Sequence, residues 1–223
     1  MPYADLPDFL ESFREQHAEQ DLDIDSESIP LDESGDHLGG AIETSNPLSY
    51  SEKIASGPNL IFGDSQSGGQ IGRALKQRFG GTVVSKSSSI PSYWAKKGRL
   101  FKRIKKHLEK GPKNIYITLG GLPAGVRGTK SLLNTILEIS PNSQIFWITP
   151  PPPAFDGYKY KHSDWHDGRE KRTYQIEAIA ESFEGVVMIN SYEIVGSGYY
   201  CNKTCDGIHA PESVAKQIVG SIQ

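Results

Sequence analysis

Long apolar runs are missing from this 223-residue chain. No stretch of about eighteen apolar residues occurs, so the sequence predicts no transmembrane helix. The segment Met1 to Glu19 has no basic stretch followed by an apolar one, so it does not read as a secretory signal. The expectation is a chain made in a cytoplasm, or carried in a phage particle if it acts outside. Cysteine is scarce as well: only Cys201 and Cys205 occur. Two thiols cannot build a zinc site without added histidines. Their spacing is compatible with a disulfide if the backbone bends enough, and equally with two reduced thiols.

Basic residues are nearly absent from the first quarter of the chain. Residues 1–52 hold about fourteen acidic side chains and one basic one, Arg14. The totals of 27 acidic and 24 basic residues leave thirteen acidic against twenty-three basic in 53–223. An acidic arm therefore precedes a basic body, either solvated or docked on that body or on a neighbouring chain. Within the arm, Leu6, Phe9, Leu10 and Phe13 share one helical face over Tyr3 to His17. Asp21 to Tyr50 is rich in Asp, Ser, Gly and Pro and reads as a linker. The domain reading is thus an arm and linker over 1–52 and a folded domain over 53–223.

From Pro58 onward, short apolar runs alternate with amphipathic stretches. Strands are expected at Asn59–Gly63, Thr82–Ser85, Asn114–Leu119, Gln144–Thr149 and Val186–Asn190. Helices are expected at Gly69–Phe79, Arg99–Glu109, after Pro123 through Leu132 to Leu137, at Arg169–Phe183 and at Pro211–Ile222. Short strands that are apolar on both faces and alternate with helices imply a parallel sheet covered on both sides. The fold class is α/β: a flavodoxin-like three-layer α/β/α sandwich with five parallel strands. Ligands in such sheets bind beyond the carboxyl ends of the strands.

Two motifs lie there. Gly63-Asp64-Ser65 follows the first strand and precedes a helix. Its serine can project a hydroxyl into the crevice and its N–H can donate to a developing oxyanion. Asp and Ser also simply cap helices. Asp206-Gly-Ile-His209 stands before the last helix. A carboxylate so close to an imidazole can hold one ring nitrogen and leave the other to take a serine proton.

With this order of strands, the serine block after the first strand and the Asp-x-x-His block before the last helix, the chain resembles the SGNH/GDSL hydrolases, bacterial and phage members included. The resemblance runs from about Asn59 to Gln223. Phe146-Trp147-Ile148-Thr149-Pro150 adds to it. It implies Ser65 as nucleophile, His209 as general base and Asp206 as the residue orienting it, with no metal or organic cofactor. It implies a serine esterase that takes a small acyl group, acetyl in the first instance, from a small ester or an acylated carbohydrate or cell-wall polymer.

The departures from that family bear on the oxyanion side. Gln66 stands where the family name has Leu. Leu122, in Leu119-Gly120-Gly121-Leu122-Pro123, stands where an Asn donor is expected. No Gly occurs in Lys86-Ser87-Ser88-Ser89, where a second block should place one. Backbone N–H groups of Ser65, Ser88 and Gly121, or the side chain of Gln66, are the candidate donors. Asp64, Gln66, Leu122 and Trp165 are candidate substrate contacts. The other class of reading is an SGNH-fold binding or structural protein with little catalysis, such as a virion component.

Two further features read as surface. The basic stretch Lys96 to Lys113 suits a solvated helix face better than a nucleic-acid site, since no nucleic-acid motif accompanies it. His162, Asp164 and His166 read as an exposed loop rather than metal ligands. With Tyr158, Tyr160 and Trp165, that loop can stack on a sugar ring or cover the crevice.

Overall fold

The computed structural model describes residues 57–223. The helix expected over Tyr3 to His17, the linker Asp21 to Tyr50 and the boundary at 52/53 lie outside the described residues. Among the described residues the strands are β1 (Leu60–Gly63), β2 (Thr82–Ser85), β3 (Asn114–Thr118), β4 (Gln144–Ile148) and β5 (Val186–Ile189). The helices are α1 (Ser65–Gly68), α2 (Gln70–Phe79), α3 (Pro91–Trp94), α4 (Phe101–Leu108), α5 (Thr129–Ile139), α6 (His162–Ala180), α7 (Ser191–Val195) and α8 (Glu212–Gly220).

All strand pairs are parallel, in the order β2-β1-β3-β4-β5. Side chains alternate between the sheet's faces. Leu60, Phe62, Ile115, Ile117, Ile145 and Trp147 pack with Trp94 of α3, Ile104 and Leu108 of α4, Leu132 and Ile136 of α5 and Ile176 of α6. Ile61, Tyr116 and Ile148 pack on the other side with Ile71 and Leu75 of α2 and Val214 and Ile218 of α8. The result is the expected three-layer sandwich. Each fully buried aliphatic or aromatic side chain contributes about 1.5–3 kcal/mol to holding the layers together.

Three short helices, α1, α3 and α7, were not signalled by periodicity, because four or five residues are too few to display one. The larger correction concerns α6. It begins at His162, so the stretch holding His162, Asp164 and His166 is helical rather than an exposed loop. Helical spacing stacks His162 on His166, with ring centroids 4.7 Å apart, and His162 also stacks on Phe155 at 4.6 Å. No group of three or more His, Cys, Asp or Glu side chains able to hold a metal occurs among the described residues. No described helix is long and apolar enough to cross a membrane. Helix α4 buries Ile104 and Leu108 and exposes Lys102, Arg103, Lys105 and Lys106, as a solvated basic face would.

Cys201 and Cys205 are joined by a disulfide, with Cα atoms 5.9 Å apart. Asn202 and Lys203 supply the bend, with φ of 52° and 58°. Asp156 pins the loop by accepting from the backbone N–H groups of Cys201 and Lys203 at 2.7 and 3.2 Å.

Candidate active site

The strand β1 ends at Gly63, where a Cβ would collide with the carbonyl oxygen of Thr118 on β3. Only glycine lets the two strands close up as the chain turns toward α1. Asp64 then caps α1: its Oδ1 accepts from the N–H of Gln66 at 2.9 Å. Ser65 is thereby the first residue of that helix, at the carboxyl end of the sheet.

The turn before α8 brings the second motif to the same place. Asp206 Oδ1 accepts from the N–H groups of Ile208 and His209 at 3.0 and 2.9 Å. Its Oδ2 lies 2.5 Å from His209 Nδ1. His209 Nε2 lies 2.7 Å from Ser65 Oγ. Carboxylate, imidazole and hydroxyl thus form one continuous hydrogen-bonded line across 144 residues of sequence. Such a line can draw the serine proton onto Nε2 while the carboxylate steadies the resulting imidazolium. Burial pulls the Asp206 carboxyl upward. The hydrogen bonds from the His209 backbone and ring and from Ile208 outweigh it, and its pKa sits below the ordinary value.

Asp64 behaves in the opposite way. Full burial pushes its carboxyl up to about 6, although the Gln66 N–H, Arg169 and His209 all favour the ionised form. It is 5% exposed, and it reaches the cavity floor while bracing the turn.

These residues open on a cavity of about 240 Å³. Asp64, Ser65, Gln66, Ser88, Gly121, Leu122, Trp165 and His209 all line it, so the structure gathers every candidate site residue except Asp206, which stands behind His209. Ser87, Tyr160, Arg169 and Ile208 line it as well. Tyr160 and Trp165 meet edge to face, 5.7 Å between centroids.

The oxyanion candidates are sorted by their surroundings. Ser88 holds a φ of 57°, in the left-handed region that glycine enters without cost. The second block therefore keeps a glycine-like backbone although its residue is serine. Gln66 is turned elsewhere: its Nε2 donates to the Ile208 carbonyl at 2.8 Å and its Oε1 accepts from the Ala210 N–H at 3.5 Å. As a side-chain oxyanion donor it is thus replaced by a brace on the His209 turn. Leu122 lines the cavity with a side chain that has no donor.

Arg169 and Arg172, one turn apart on α6, are what sequence reading missed. Arg172 Nε and Nη2 donate to the carbonyls of Gly120 and Gly121, both at 3.1 Å, and so hold the loop carrying Leu122. Arg169 Nη1 donates to the carbonyls of Pro151 and Ile208 at 2.9 and 3.0 Å. Burial lowers the pKa of Arg169, against the attraction of Tyr192 and Asp64. A signal for it existed. Arg169, Thr173, Ile176 and Ala180 form the buried stripe of α6 at helical spacing, and an arginine in such a stripe calls for a reason.

With a serine-bearing turn after β1, an Asp-x-x-His turn before the last helix and a β2-β1-β3-β4-β5 parallel sheet, this chain has the SGNH/GDSL hydrolase fold. No family model matches the sequence, and no curated protein does. Solved structures do. A candidate platelet activating factor from Streptococcus pneumoniae is similar with a TM-score of 0.54 and 12% identity, over 77% of this chain and 85% of that one. A candidate GDSL-like lipase from Parabacteroides merdae is similar with a TM-score of 0.53 and 15% identity, over 73% of this chain and 91% of that one.

Proposed function

We propose that this chain is a serine ester hydrolase that removes a small acyl group, acetyl, from a carbohydrate polymer. The observation that carries the reading is the line Asp206–His209–Ser65, with steps of 2.5 and 2.7 Å at the mouth of one cavity. Ser65 Oγ attacks the ester carbonyl while His209 Nε2 takes its proton. The tetrahedral intermediate expels the alcohol, which receives that proton, and leaves an acyl-enzyme. Water deprotonated by His209 then releases the acid. These steps need no metal or cofactor. The cavity's modest volume suits a short acyl group, and Tyr160 with Trp165 offers aromatic surface for a sugar ring.

The test is turnover of a short-chain nitrophenyl ester by the wild type and by Ser65→Ala, followed by acetate release from an acetylated polysaccharide. Equal rates in the two proteins sink the assignment. A second reading, a binding protein on the same fold, is favoured by Leu122, which lacks the side-chain donor expected there. Saturable binding of the acylated polymer without hydrolysis would select it.

A further inference from the structure

Arg169 is 3% exposed, yet among the described residues two of its three nitrogens make no hydrogen bond. Nη1 is engaged by the carbonyls of Pro151 and Ile208. Nε is buried without a partner. Among the described residues Nη2 makes no hydrogen bond, and no carboxylate forms an ion pair with this guanidinium within 4.0 Å. A buried cation with donors left over is costly unless an acceptor reaches it. The side chain lines the same cavity as Ser65 and His209, so an acceptor that reaches it arrives with the substrate.

The placement says which acceptor. Nη2 and Asp64 Oδ2 each lie 3.6 Å from the point where a Cβ would stand on Gly121. Nη2 is therefore beside the loop whose next residue, Leu122, has a side chain without a donor. The Gly120 and Gly121 carbonyls do not compete for it, because Arg172 holds both. The two backbone carbonyls on Nη1 fix the guanidinium before any substrate enters, which is the preorganisation that electrostatic catalysis requires. One of them belongs to Ile208, the residue preceding His209, so the cation and the base are set by the same turn.

We propose that Arg169 donates from Nη2 to the carbonyl oxygen of the bound ester and to the oxyanion that it becomes, the role the side chain at position 122 cannot fill. This rests on the serine hydrolase reading. In the step it serves, the Ser65 Oγ–carbon bond forms, the carbonyl π pair moves onto oxygen and the hydroxyl proton passes to His209. When the oxyanion collapses, the carbon–alkoxide bond breaks and that proton goes to the leaving alkoxide. Arg169 keeps its own protons throughout.

The experiment compares full-length wild type, Ser65→Ala, Arg169→Met and Arg169→Lys on a neutral nitrophenyl acetate and on a nitrophenyl ester bearing a carboxylate. Folding of each is verified by thermal denaturation. Arg169→Met is expected to lose about a hundredfold in kcat on both esters with KM little changed. Arg169→Lys, which keeps charge but not the planar fork, is expected to lose about tenfold. Inhibition by a small alkylboronic acid, whose adduct on Ser65 is a tetrahedral anion like the intermediate, should weaken in parallel. If Arg169→Met does not fold, Arg169→Lys decides. A folded variant with wild-type kcat overturns the proposal. So does a change in KM confined to the acidic ester, which would make Arg169 a reader of substrate charge. A wild type no faster than Ser65→Ala overturns the hydrolase reading and this one with it. An active wild type, an inactive Ser65→Ala and unaffected Arg169 variants overturn this one alone.

Discussion

Gln66 Nε2 donates to the carbonyl oxygen of Ile208 at 2.8 Å. One bond thus ties the residue after Ser65 to the residue before His209. The same carbonyl accepts from Arg169 Nη1, so the turn bearing His209 is clamped from two sides. Gln66→Ala should loosen that turn without touching Ser65 or His209. The expected result is a ten- to hundredfold loss of kcat, about what displacing a reacting group by an ångström costs. Steady-state kinetics with a check on thermal stability measures it. A wild-type kcat would show that the Ser65–His209 distance is set by other contacts.

Asp206 gives His209 its orientation through both oxygens, one on the backbone N–H groups and one on the ring. Asp206→Asn should keep the fold and lower kcat on the order of a thousand- to ten-thousandfold, because the amide favours the wrong imidazole tautomer. Ester turnover reads this directly; a loss below about tenfold would contradict it. The lowered pKa of Asp206 carries a sign for stability. Its ionised form is favoured in the folded chain, so its contribution is present above the ordinary carboxylate pKa and is lost as the pH falls through its depressed value.

Asp64 predicts the reverse dependence. Its carboxyl is moved from 3.8 to about 6. Between those values the folded chain holds a proton that the unfolded chain has released. Stability therefore falls as the pH rises through this window, and the loss is complete above it. Two pH units correspond to roughly 3 kcal/mol. Asp64→Asn keeps an oxygen for the Gln66 N–H and removes the ionisation. Urea denaturation at about pH 4 and about pH 7 should show the variant gaining on the wild type as pH rises. Parallel curves would refute the burial argument.

Ser88 tests the backbone at the cavity rim. Its φ of 57° costs an L-residue on the order of 1 kcal/mol and costs glycine little. Ser88→Gly should leave stability unchanged or raise it by up to about 1 kcal/mol, offset in part by glycine's greater freedom when unfolded. Its kcat should stay within about threefold of wild type if only the backbone N–H serves the site. Ser88→Val should lower both the melting temperature and kcat, since a β-branched residue resists that conformation. Equal melting temperatures for the glycine and valine variants would count against it.

Much of this molecule is written in its local sequence. The apolar runs of β1, β3 and β4 fixed a parallel sheet, because strands buried on both faces leave no room for polar alternation. Gly63-Asp64-Ser65 and Asp206-Gly-Ile-His209 carried their own turn and capping chemistry, so the first could be placed at the end of a strand and the second before the last helix. Leu122 stood out only against the family's pattern, where an Asn is expected.

Tertiary structure decided what depends on partners distant in the chain. Whether His209 reaches Ser65 is settled by packing α8 against α2, which no local pattern encodes. Whether Gln66 serves the oxyanion or the turn depends on the Ile208 carbonyl, 142 residues away. Cys201 and Cys205 needed two left-handed residues between them before a disulfide could form. Arg169 stands at helical spacing with Thr173, Ile176 and Ala180, but that spacing alone does not say what it meets. Only the approach of Pro151 and Ile208 turns it into a buried cation with unengaged donors, because burial and hydrogen-bond satisfaction belong to the surroundings of a side chain and not to the side chain itself.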